Sequence, residues 1–235
     1  MAVRSGSKVR ADIKRNRLYI TLSVDASKKE LEKIYTDVRF CVADLKPGFD
    51  VITDLSQCTL GHLSGIPIFR KIMDYLVQHR PGEVVRVVGK MSVLFKQLIM
   101  LATRFQIYKP VYVTTVEEAE ERLATSRRNA LRFHLHRQKV EYSVGGKSGA
   151  GQLVDASILG CAVCGSTLPV SATDALSLTF SLRRDHDDWT TFTLTATVIR
   201  VDDELFAVQF TDVSEEQAAL LYACLAHEAR CDALP

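Results

Sequence analysis

The sequence predicts two domains: an α/β domain with a central sheet and flanking helices, then a small six-stranded antiparallel β-barrel with a terminal helix. Three observations carry this. The chain has 235 residues, which at ~100–200 residues per domain makes one large or two small domains. Strand-like and helix-like segments alternate in its first half. From Leu131 onward the apolar period changes from about 3.6 to 2, and no long helical face returns until the last turns of the sequence.

In order along the chain, residues 1–16 are polar and basic, with Arg4, Lys8, Arg10, Lys14 and Arg15, and are expected to form a flexible tail. The α/β domain is expected over 17–124. Leu18–Leu22 reads as a strand, and Ser27 with Glu30 makes a capping-box pattern ahead of Leu31, Ile34, Tyr35, Val38 and Val42 at helical spacing. Pro47-Gly48 ends that helix, and Phe49–Leu55 suits a strand covered by helices. Ile66–His79 reads as a second helix with Pro67 in its first turn, and Val84–Val88 as a strand after Pro81-Gly82. Val93–Phe105 is a third helix, Val111–Val113 a strand, and Thr115 caps a last helix to about Ala124.

The barrel domain is expected over 125–235. Its strands are read at 133–143, 151–155, 160–163, 175–182, 190–201 and 205–210, with turns at Gly145-Gly146, Asp185–Asp188 and Asp202–Glu204. Ser214 and Gln217 form an S-x-x-Q box that starts a final helix, whose Ala218, Leu221, Tyr222 and Leu225 can plug or flank the barrel.

Composition narrows the function. A content of 47% hydrophobic residues supports packed cores, and 30 Lys+Arg against 28 Asp+Glu excludes a uniformly basic nucleic-acid coat, so nucleic acid is an unlikely partner. No run reaches the ~18–20 apolar residues of a membrane span, since Met91–Ala102 is cut by Lys96 and Gln97, and no secretory signal is written. A cytoplasmic location is the expectation. Six cysteines are too few for a disulfide scaffold, and the single Cys161-x-x-Cys164 lacks a second pair for zinc. His134 and His136 share a strand face beside arginines, a solvated face rather than a metal pair. No metal, cofactor or catalytic residue is expected, because neither a G-x-S-x-G elbow nor an H-E-x-x-H helix is present.

The chemistry concentrates at one junction. Arg122, Arg127, Arg128, Arg132, Arg137, Lys139 and Lys147 stand there against the single acid Glu141, so an anion belongs there. A guanidinium fork binds phosphate oxygens bidentately or engages the guanine O6/N7 edge. Downstream, Asp155-Ala-Ser157-Ile-Leu-Gly160 closes a strand, where a carboxylate and a hydroxyl can accept from guanine N1–H and its amino group and a glycine permits a close approach.

Arg128-x-x-x-Arg132 followed by Asp155-x-Ser157-x-x-Gly160 resembles a PilZ domain, a receptor for the bacterial second messenger cyclic di-GMP, over about residues 125–228. The resemblance implies that Arg128 and Arg132 grip phosphates and guanines, that Arg127 assists, and that Asp155, Ser157 and Gly160 hold a guanine edge. In the first half, Asp54-Leu55-Ser56, Leu63-Ser64-Gly65-Ile66 and Val84–Gly89 resemble a STAS domain. That resemblance implies a surface for a protein partner or for a second copy of the chain as a homodimer, and a phosphorylation position at Ser64, although His62-Leu63 departs from the family's pattern.

Together these readings predict a non-enzymatic receptor in which cyclic di-GMP, bound at the arginine segment and the D-x-S-x-x-G loop, alters domain arrangement and partner binding. The alternative is a STAS-type interaction scaffold, phosphoregulated, with a barrel that does not bind nucleotide.

Overall fold

The computed structural model describes residues 6–23, 27–58, 66–89, 107–108, 110–126, 130–185 and 187–233. The expected helix over Val93–Phe105 therefore lies outside the described residues, as do Ser64, Arg127 and Arg128. Two compact units divide after Leu131, later than the expected residue 124, and Ile107 and Tyr108 belong to the second unit rather than the first.

The first unit is a five-stranded mixed sheet in the order β1 (Lys8–Asp12), β2 (Arg17–Thr21), β3 (Asp50–Asp54), β4 (Val84–Val87), β5 (Val111–Val113). Strands β2 to β5 are parallel, and β1 is antiparallel to β2. Strand β1 corrects the flexible tail expected over 1–16. Asn16 takes a left-handed conformation (φ 50°) that turns the chain back, and the Arg10 guanidinium lies 4.0 Å over the Tyr19 ring.

Helices α1 (Lys28–Ala43), α2 (Ile66–Gln78) and α3 (Val116–Thr125) cover the sheet. On one face Ala119 and Leu123 of α3 pack on Ile52, Val85, Val87 and Val113. On the other, Arg86 reaches the Met73 sulfur of α2 at 3.6 Å. Helices on both faces explain why β3 and β4 are near-continuous apolar runs rather than alternating ones. Ser27 and Thr115 cap as predicted, accepting from the Glu30 and Glu118 amides at 3.2 and 3.1 Å. Arg17, nearly buried, bridges Asp50 of β3 and Glu120 of α3, and Tyr19 donates to the same Glu120 carboxylate.

The second unit is a closed six-stranded antiparallel barrel: β6 (Phe133–Val144), β7 (Lys147–Ser157), β8 (Gly160–Cys164), β9 (Ala175–Arg183), β10 (Trp189–Val201) and β11 (Leu205–Thr211), ordered β10-β11-β8-β7-β6-β9 and closed by β9 pairing with β10. All six expected strands are present. Gly145 and Gly146 both have positive φ (54° and 78°), the two-residue turn whose twist suits a hairpin, and it lengthens β7 backward to Lys147. Alternate residues fill the interior, Leu178, Phe180 and Leu182 of β9 facing Phe192 and Leu194 of β10.

Helix α4 (Glu215–Ala233) opens with the predicted box, the Gln217 amide donating to Ser214 Oγ at 3.2 Å and the Ser214 amide donating back to the Gln217 side chain at 3.3 Å. Tyr222 meets Phe133 edge-on at 5.2 Å inside the barrel mouth. Glu228, fully buried, accepts from the Arg183 guanidinium (2.6 Å), the Arg183 amide (2.8 Å) and Gln138 Nε2 (2.6 Å). Burial opposes ionisation of Glu228, but the hydrogen bonds and charge of Arg183, with the Gln138 amide, outweigh it and hold the carboxyl below its ordinary 4.5. The support this gives α4 is present above the ordinary value and lost as pH falls through the lowered one. Glu228→Ala should cost about 2–4 kcal/mol by leaving its donors unpaired, read as a lower urea midpoint at neutral pH, with the gap to the natural chain closing in acid.

Candidate functional site

The site residues that the structure describes gather where β6 begins and β7 turns into β8. Phe133 is fully buried among the barrel's inward side chains, opposite the likewise buried Ala156. Arg132 before it and His134 after it therefore lie on the outer side, and His134 stands directly across the ladder from Asp155. In this position the Arg132 guanidinium forms an ion pair with the Asp155 carboxylate, each side chain 26% exposed. The two residues that the sequence assigns to one ligand thus meet on the outer face of the barrel.

Both flanks of Asp155 are irregular. The β6–β7 register shifts between His134 and Gln138, and the β7–β8 register shifts between Leu153 and Asp155. Such bulges re-aim side chains, and here both fall between Leu153 and Asp155 on β7, immediately before the carboxylate.

Ser157 and Gly160 shape the turn itself. The Ser157 hydroxyl accepts from the Leu159 amide at 3.2 Å and donates to the Gly160 carbonyl at 3.3 Å, and the residue is 2% exposed. Gly160 is required by a neighbour: a Cβ there would lie 2.1 Å from the Val208 carbonyl oxygen of β11. The glycine permits close packing of β8 on β11.

Cys161 of β8, opposite Ala156 and one rung from Asp155, is fully buried. Burial pushes its thiol up to about 12, with Arg132 pulling down and Asp155 pushing up, so it stays protonated. His134 was legible only as a strand residue two places from Arg132. Its place opposite Asp155 follows from the register, which alternation alone does not fix.

The arrangement is a closed antiparallel barrel carrying a cation–carboxylate pair on its outer face and a helix against its mouth. Residues 126–227 match the family model of the PilZ domain, and this part of the chain is a PilZ domain. Similar solved structures include the PilZ domain of CeSA from a cellulose-synthesizing bacterium (19% identity, 41% of this chain and 97% of that one, TM-score 0.33). The PilZ domain with c-di-GMP of YcgR from Escherichia coli is 17% identical over 46% of this chain and 98% of that one, with a TM-score of 0.38. The Borreliella burgdorferi PlzA protein in complex with c-di-GMP is 15% identical over 48% of this chain and 45% of that one, with a TM-score of 0.30. No curated protein matches the chain. The STAS likeness of residues 17–124 is not among these findings.

Gly160→Ala should force β8 and β11 apart and cost about 1–3 kcal/mol, seen as a lowered Tm in thermal denaturation; an unchanged Tm would refute the packing role of this glycine.

Proposed function

We propose that the C-terminal barrel is a receptor for cyclic di-GMP and that the protein acts as a cyclic di-GMP effector without enzymatic activity of its own. The observation that carries this reading is the meeting of Arg132 and Asp155 in an ion pair on the outer face of a PilZ domain. Arg132 supplies a planar cation for phosphate or guanine, and Asp155 an acceptor for the guanine N1–H and amino group. Arg127 and Arg128 complete the cationic arm. Ser157 and Gly160 serve by holding the turn that presents Asp155.

Magnitudes favour the exchange. A partly exposed ion pair is worth about 1 kcal/mol or less, whereas hydrogen bonds to charged groups are worth about 1.5–3 kcal/mol each. A nucleotide offering two phosphates can therefore take Arg132 from Asp155. The arginine segment also connects the two units, so occupying it would change domain arrangement and the way the N-terminal α/β unit meets a protein partner.

Titration calorimetry with cyclic di-GMP, and cyclic di-AMP as control, tests the site. Arg128→Ala and Arg132→Ala should each weaken cyclic di-GMP binding by about tenfold to more than a hundredfold. Unchanged affinity in both would refute the assignment. Small-angle scattering that does not change on saturation would refute the rearrangement while sparing the site.

A further inference from the structure

We propose that His134 is a further residue of the nucleotide site and that it takes up a proton when the ligand binds. This rests on the cyclic di-GMP reading and adds a second, ionic ligand to it. The ladder partnership of His134 with Asp155 puts their Cβ atoms about 4.5–5.5 Å apart on one face. Arg132, two residues away on that face, is the cation that holds Asp155 before binding.

Drawing Arg132 toward a phosphate leaves Asp155 without that cation. Guanine N–H groups can satisfy the carboxylate's hydrogen bonds but bring no charge. Asp155 is only 26% exposed, so water compensates incompletely. An imidazole one rung away is the group able to become cationic near neutral pH.

Among the described residues, the groups facing His134 bear on the sign. Arg132 stands just before β6, His136 along it, and Asp155 across the ladder. The next rung on β8 is the uncharged Ala162, and Cys161 next to it stays protonated. Tyr108 pairs with Phe133 from the other side, while α4 presents Tyr222 to Phe133 inside the barrel and commits Glu228 to Arg183. Moving Arg132 removes a repelling cation and exposes an attracting anion, and the phosphates add more negative charge. Each change raises the proton affinity of His134. The proton comes from solvent, and no covalent bond changes other than the new N–H.

Calorimetry of the full chain with cyclic di-GMP in two buffers of different ionisation enthalpy counts protons. The expected result is uptake of up to about half a proton per His134 near neutral pH, with affinity weakening about tenfold in total between about pH 5.5 and 8.5, as a one-unit rise in the histidine pKa requires. His134→Gln should abolish the uptake and the pH dependence, His134→Lys should abolish the uptake yet keep tight binding at high pH, and His136→Gln should change neither. A natural chain that binds without proton uptake, or uptake that persists in folded His134→Gln and His134→Lys, overturns this inference and leaves the nucleotide reading intact. Absence of cyclic di-GMP binding at every pH overturns that reading, and the proton linkage with it.

Discussion

The pairing register of β6 with β7 is the constraint on which the second unit depends. Phe133 opposite Ala156 sends both side chains into the barrel, and one rung on, His134 opposite Asp155 sends both outward. A slip of one residue would exchange these sets, placing a carboxylate and an imidazole in the apolar interior and an aromatic ring in water. Barrel closure makes the slip costlier, because β6 is also tied to β9 through Glu141–Val144. The same register that packs the core therefore holds Arg132 within reach of Asp155.

Closure also explains α4. Tyr222 packs edge-on against the buried Phe133 while Glu228 fastens the helix to Arg183 and Gln138. The charge that anchors the helix and the charge pair on the barrel's outer face are separate: Glu228 is fully buried and saturated with donors, whereas Arg132 and Asp155 are partly open to water. One pair is built to stay, and the other is weak enough to exchange.

What the sequence disclosed was what local chemistry decides. Gly145-Gly146 could mark a turn because only a positive-φ pair closes a two-residue hairpin, and Ser214 with Gln217 could mark a helix start because capping reaches three residues. The long-range partnerships were not written this way. Lys8–Asp12 is short, half-exposed and basic, and becomes a strand only because β2 lies ready as its template. Tyr108 reaches the barrel through a single bridge to Phe133, a pairing no local pattern announces. At the site, the motif assigns Ser157 and Gly160 to a guanine edge, while the local geometry they serve depends on neighbours the motif does not contain: one hydroxyl is engaged in its own turn, and one missing side chain makes room for Val208.

On the proposed reading, the Arg132–Asp155 pair also bears on selectivity. A bare arginine cluster would attract any polyanion, nucleic acid included, with an affinity set mainly by charge and salt. A carboxylate paired to one of those arginines neutralises part of that attraction and opposes an anion that offers charge alone. A ligand that replaces the carboxylate at Arg132 with phosphate, and answers the released carboxylate with guanine donors, meets both halves of the site at once. Discrimination then comes from leaving a wrong anion facing an unpaired Asp155, a repulsive element as much as an attractive one. The chain's near balance of 30 basic and 28 acidic residues fits such a site, in which local geometry rather than overall charge selects the ligand.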